Sequence, residues 1–203
     1  MIRTGIIGGS GYTGGELIRL LLGHPGAELA FVYSRTRAGK PLHHTHPDLL
    51  GRTDLCFTDQ VDPEVDVVFL CLGHGNSGTF LSKVAFSQKT RVIDLSNEFR
   101  LAPGDSFADR KFIYGLPELD RKAIEKAHNI ANPGCFATAI QLALLPLASN
   151  GLLTGPAHVN AITGSTGAGA GLSETTHFSW RNNNLSWYKP FTHQHLGEVL
   201  QNL

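Results

Sequence analysis

The chain opens with a short apolar strand, a glycine-rich turn and a helix in direct succession, and this order narrows its fold more than any other feature. Thr4-Gly5-Ile6-Ile7 is apolar, Gly9-Ser10-Gly11-Tyr12-Thr13-Gly14 follows, and Glu16-Leu17-Ile18-Arg19-Leu20-Leu21-Leu22 has helical composition up to Gly23-His24-Pro25-Gly26. A G-x-G-x-x-G turn alone is common. Between a strand and a helix, its glycines let a pyrophosphate approach the backbone and rest on the helix N-terminus. Gly9, Ser10, Gly11, Tyr12, Thr13 and Gly14 are therefore candidate cofactor-binding residues, with a plain strand-to-helix turn as the alternative.

The following segments extend the pattern. Glu28-Leu29-Ala30-Phe31-Val32-Tyr33 is predicted as the second strand and ends in Ser34-Arg35-Thr36-Arg37. NAD-binding domains usually carry an acid here for the ribose 2′-hydroxyl; Ser34, Arg35 and Arg37 instead suit a 2′-phosphate, so NADP(H) is preferred. The other reading of the two arginines is solvated surface. Val65 to Leu72 and Arg91 to Ser96 are further apolar runs, each ending in a polar or glycine-rich segment. Near-continuous apolar strands predict a parallel sheet covered on both faces, with ligands at the carboxyl ends of its strands. The fold class is thus α/β, with a Rossmann-type dinucleotide-binding domain.

Composition excludes several partners. Lys+Arg and Asp+Glu both number 17 in 203 residues, and no basic stripe points to nucleic acid or an anionic membrane. No apolar stretch is long enough to span a bilayer, and no signal peptide is expected before Met1-Ile2-Arg3-Thr4. Cys56, Cys71 and Cys135 lack metal-type spacing, which predicts no metal site and fits a reducing cytoplasm.

Asn132-Pro133-Gly134-Cys135-Phe136-Ala137-Thr138 puts a cysteine at the start of a helix-forming run that continues to Pro146. A helix N-terminus carries unpaired N–H groups and a positive partial charge, both of which favour a thiolate. Pro133 and Gly134 form a turn that aims Cys135 out of the fold, making it a candidate nucleophile; the competing reading is a small buried hydrophobe. Beyond it, His158-Val159-Asn160-Ala161-Ile162-Thr163 is predicted as a strand. The glycine-rich stretch 164–171 is read as a loop of backbone donors for a phosphate, or else as a linker. His193 and His195 lie about sixty residues from Cys135, so any Cys–His partnership must be tertiary.

The stretch Ile130 to Ala139 with Pro146 resembles the active-site signature of the N-acyl-γ-glutamyl-phosphate reductases of arginine biosynthesis, grouped with the aspartate-semialdehyde dehydrogenases. Ile93-Asp94-Leu95-Ser96, Phe99-Arg100-Leu101, Tyr114-Gly115-Leu116-Pro117-Glu118 and His193-Gln194-His195 match in the same order along the whole chain. The resemblance implies reduction of an acyl phosphate by NADPH through a thioester on Cys135, with His195, or failing it His193, as the acid. It also implies an NADP-binding domain over 1–134 and, over 135–203, the start of an α+β substrate and dimerisation domain in a homodimer or homotetramer. Because such proteins usually exceed three hundred residues, that second domain is expected to be incomplete. Arg100 is a candidate for an anionic group of the substrate, the alternative being a salt bridge, and Gly167 is a candidate for its phosphate. Where family members often carry a basic residue after the glycine loop, this chain has Ala170-Gly171-Leu172. An N-succinyl substrate, aspartate-semialdehyde dehydrogenase activity and a non-catalytic NADP-binding regulator are the remaining alternatives.

Overall fold

All strands of the main sheet run parallel, as their near-continuous apolar runs require. The computed structural model describes residues 1–203. Strand β1 (Ile2–Ile7) leads through the glycine turn into α1 (Tyr12–Leu22), and β2 (Ala27–Tyr33) returns beside β1. Beyond two 3-10 turns, β3 (Phe57–Thr58) forms the outer edge, and the chain then crosses back to β4 (Val67–Leu70) on the other side of β1. Helix α2 (Ser77–Leu81), β5 (Arg91–Asp94), a hairpin of β6 (Ser106–Phe107) and β7 (Arg110–Lys111), β8 (Ile113–Tyr114), α3 (Pro117–Lys126) and β9 (Asn129–Ala131) follow. The strand order is β3-β2-β1-β4-β5-β9-β8. Chain direction therefore reverses between β1 and β4, which opens a crevice at their carboxyl ends.

Successive strand residues point to opposite faces, and each face has its own core. Ile7 and Phe31 join Val68, Leu70, Phe86, Val92, Phe99 and Phe112 on one side; Ile6 and Val32 join Ile18, Leu29, Leu42, Leu49 and Phe57 under α1 on the other. Phe99 and Phe112 stack with ring centroids 4.2 Å apart, anchoring the segment after β5. Inside this region Arg110 is buried, donating to Asn129 Oδ1 and to the carbonyls of Phe86, Ser87 and Thr90.

After β9 comes α4 (Cys135–Ser149), whose Ala137 and Gln141 are its buried residues. The chain ends in the short α5 (Phe178–Arg181) and in α6 (His195–Asn202), which packs against α4. The strand predicted at 158–163 does not form; those residues are exposed and pair with nothing. A strand is held by ladder bonds to a neighbour, and no segment of this chain lies alongside it. Residues 135–203 of this chain contain helices and turns.

Close packing beneath the glycine turn generates a stability test. A Cβ on Gly14 would come 2.6 Å from Gly9 Cα and 2.7 Å from the Gly8 carbonyl, whereas one on Gly23, just past α1, would meet nothing closer than 3.8 Å. Urea denaturation is expected to give a loss of about 1–3 kcal/mol for Gly14→Ala. Gly23→Ala should be neutral or gain about 0.4–1 kcal/mol by restricting the unfolded chain.

Candidate active site

The turn after β1 is fixed from below and open above. The Gly8 and Gly9 N–H groups both donate to the Tyr33 carbonyl, and the Gly11 N–H donates to Gly8. The N–H groups of Ser10, Tyr12, Thr13 and Gly14 have no protein acceptor, and Gly11 provides no side-chain cap to α1. An anion is what such a cluster of unpaired donors at a helix N-terminus favours. At the end of β2 the buried Ser34 hydroxyl donates to Ser10 Oγ at 3.0 Å, while Arg35 and Arg37 are exposed. No carboxylate lies in the Ser34-Arg35-Thr36-Arg37 segment. These residues fit a dinucleotide with a 2′-phosphate better than one with a free 2′-hydroxyl.

Cys135 is exposed and is the first residue of α4, while Pro133 and Gly134 before it are buried. It is not a core hydrophobe. Behind it, one carboxylate gathers groups from three separate segments. Glu198 Oε2 accepts the Gly134 N–H at 2.9 Å and the Tyr114 hydroxyl at 2.8 Å, and Oε1 accepts from Arg100 at 3.1 Å. Gln141 in turn donates to the Tyr114 oxygen at 2.7 Å. His195, one turn before Glu198 on α6, has its Nε2 3.9 Å from Glu198 Oε1. Its ring lies so close to Gly134 that a Cβ there would come 2.3 Å from Nε2. The N-terminus of the cysteine helix and the imidazole are thereby locked together at one carboxylate. His193 stacks edge-on against His195, with centroids 4.5 Å apart, and its Nδ1 accepts the His195 N–H. Phe136 and Tyr188 complete an aromatic wall with His193.

Charge states follow from this packing. Burial pushes His195 down to about 4, helped by His193, Arg100 and His74 and opposed by Glu198. His193 is also lowered, by burial and by Lys189. The neutral His195 ring leaves its buried Nδ1 without a protein hydrogen bond. Burial raises Tyr188, and Cys135 raises it further. Cys71, after β4, is pushed up to about 12 by burial and by Asp94, so it stays a thiol. Asp94 itself is raised by burial, against hydrogen bonds of 2.6 Å from both Ser77 and Ser96. Glu98 caps α2 by accepting the Ser77 and Gly78 N–H groups.

Arg100 is buried with each of its three guanidinium nitrogens engaged: Nε on the Asn132 carbonyl, one terminal nitrogen on the Leu95 carbonyl and the other on Glu198. Of the two readings of this residue, the salt bridge is the one formed, because the carboxylate that needs a counter-ion is buried beside it. Gly167 lies in the exposed 3-10 turn Ser165–Ala168, and its N–H closes that turn on Gly164. His74, read as structural, accepts the Asn97 N–H and meets Gln194, tying the segment before α6 to the loops after β4 and β5.

Sequence reasoning missed Glu198, Tyr114 as a hydrogen-bonding group, Gln141 and Tyr188. For Glu198 a signal existed: His195 and Glu198 stand three apart on one helix and so share a face.

The strand order, the open amide turn at the switch point and the cysteine helix at the same sheet edge define a dinucleotide-binding α/β protein of the doubly wound class. Residues 3–127 match the semialdehyde dehydrogenase NAD binding domain, and residues 135–203 match the semialdehyde dehydrogenase dimerisation domain. The chain belongs to the semialdehyde dehydrogenase family. It is 60% identical to the N-acetyl-gamma-glutamyl-phosphate reductase of Flavobacterium johnsoniae, across all of this chain and 62% of that protein. The proteins of the same name from Christiangramia forsetii and Parabacteroides distasonis are 59% and 52% identical, over 61% and 62% of their lengths. The chain thus spans less than two thirds of these curated relatives. Its fold is similar to that of the aspartate semialdehyde dehydrogenase of Candida albicans, solved with NADP, at a TM-score of 0.52 and 17% identity over 74% of this chain and 47% of that one. No helix is long and apolar enough to cross a membrane.

The lowered His195 predicts a pH dependence of stability. The unfolded histidine takes up its proton near its ordinary 6.5, and the folded one only near 4. Between these values the unfolded state binds more protons, so stability is fully present above about pH 6.5 and is lost as pH falls toward 4. Denaturation free energies measured across this range should fall more steeply, by up to about 1.4 kcal/mol per pH unit, in the unaltered protein than in His195→Asn. Parallel curves would contradict the buried neutral imidazole.

Proposed function

We propose that this protein is an N-acetyl-γ-glutamyl-phosphate reductase of arginine biosynthesis, forming N-acetylglutamate 5-semialdehyde by NADPH-dependent reductive dephosphorylation. The observation that carries the reading is the exposed Cys135 at the start of α4, with the His195 ring seated on Gly134 behind it. The names of relatives at 52–60% identity support the glutamyl substrate, whereas the aspartate semialdehyde dehydrogenases resemble this chain at only 16–17%.

In this reading Cys135 Sγ attacks the acyl-phosphate carbonyl, the C–O bond to phosphate breaks, and phosphate leaves a thioester on the enzyme. Gly9 to Gly14 hold the pyrophosphate of the dinucleotide through the free N–H groups of Ser10, Tyr12, Thr13 and Gly14. Arg35 and Arg37, with Ser34 behind them, hold its 2′-phosphate. The reduced nicotinamide, when bound, supplies the hydride that takes the thioester to the aldehyde level. His195, uncharged and next to Gly134, donates a ring N–H hydrogen bond that stabilises the resulting oxyanion, and collapse of that oxyanion to the aldehyde carbonyl breaks the C–S bond and returns the Cys135 thiolate. His193, in edge contact with it, is the fallback for that role. Arg100 acts here through Glu198 and keeps α6 seated, without touching substrate. The protein works in the cytoplasm, as a homodimer or homotetramer.

Two experiments on the full-length protein test this. Cys135→Ala should abolish phosphate-dependent NADP⁺ reduction by N-acetylglutamate 5-semialdehyde and leave NADPH binding intact; turnover at the normal rate would remove the covalent route. Replacing Arg35 and Arg37 together by Ala should weaken NADPH by about tenfold or more while changing NADH little. Equal losses for both dinucleotides would show that these arginines do not read the 2′-phosphate.

A further inference from the structure

His46 stands outside every motif considered so far. It lies between the 3-10 turns Leu42–His44 and Pro47–Leu49, in the connection from β2 to β3. Its ring is 6% exposed, and Nε2 lies 2.8 Å from the Gly9 carbonyl oxygen. A carbonyl can only accept, so Nε2 carries the hydrogen and donates it. The ring also fills the space beside the first turn of α1: a Cβ on Gly15 would come 2.6 Å from Cε1 and 2.7 Å from Nδ1. Two residues further on, Asp48 accepts two hydrogen bonds from Arg19 of α1, at 2.7 and 2.8 Å. The connection is thus held to α1 while its buried imidazole grips the glycine turn.

The consequence follows from peptide geometry. The Gly9 carbonyl and the Ser10 N–H belong to one planar trans peptide and point in opposite directions. Holding the carbonyl toward His46 turns the Ser10 N–H away from the core, and that N–H is one of the four in the turn without a protein acceptor. A glycine on the carbonyl side of this peptide would otherwise let the plane rotate at little steric cost. We infer that His46 is a positioning residue for dinucleotide binding, fixing the peptide that presents the Ser10 amide to the pyrophosphate. The inference rests on the reading of Gly9 to Gly14 as the pyrophosphate site.

The pyrophosphate is common to NAD⁺ and NADP⁺, so the effect must be equal for both, unlike that of Arg35 and Arg37. In the full-length protein, His46→Phe keeps a ring without a donor, and His46→Gln keeps a donor that can reach the carbonyl. Calorimetric titration should show affinity for both dinucleotides falling by the same factor, about tenfold, in His46→Phe, and by less than about threefold in His46→Gln. Thermal unfolding of each unliganded variant identifies those that are folded. Should His46→Phe not fold, His46→Asn, whose amide is too short to reach Gly9, is expected to show the same loss. Wild-type affinity in a folded variant that lacks the donor overturns the inference, as does failure of Gln to restore binding. An unaltered protein that binds neither dinucleotide overturns the pyrophosphate site itself, and the inference with it.

Discussion

The buried carboxylate of Glu198 is the interaction on which the arrangement of the candidate active site depends. Its two oxygens accept from Arg100, Tyr114 and the Gly134 N–H, groups carried respectively by the segment after β5, the end of β8 and the turn before α4. Those partners are 64 to 98 residues distant in sequence, so nothing local could bring them together. Arg100 extends the link to the Asn132 and Leu95 carbonyls. A buried ion pair of this kind adds little net stability over an apolar pair, but loss of either member leaves an uncompensated charge. Its contribution is to define one geometry, in which α6 docks so that His195 rests against Gly134.

A second constraint works at the other end of the crevice, and it is steric. The turn after β1 passes close under α1, and four of its amides are left facing outward because strand β2 and His46 satisfy the groups that face in. The site is therefore assembled from two ends of one parallel sheet edge. Donors for an anion stand beyond β1, and a thiol with its histidines stands beyond β9. Gln194, His74 and Asn97 tie the segment before α6 back to the loops after β4 and β5 in between.

Much of this was legible in the residues. The apolar runs gave the parallel strands, because a strand buried on both faces cannot alternate, and the glycine turn gave the first βα unit. Cys135 at a helix start was readable from Pro133, Gly134 and the run that follows. The expected strand at 158–163 failed, because alternation and β-branched residues specify a strand only when a neighbour supplies the ladder. Arg100 divided between two readings because the sequence shows a guanidinium but not its distance from a carboxylate.

The sequence by itself determined the α/β class, the dinucleotide turn, the two arginines after β2 and the cysteine's place at a helix N-terminus. These depend on local periodicity and on turn chemistry within a few residues, which the chain carries wherever it folds. Tertiary structure alone decided that Glu198 pairs with Arg100, that His195 is buried and uncharged, and that His46 holds the Gly9 carbonyl. Each of these is set by desolvation and by hydrogen bonds between residues far apart in sequence, and such quantities exist only once the elements have packed.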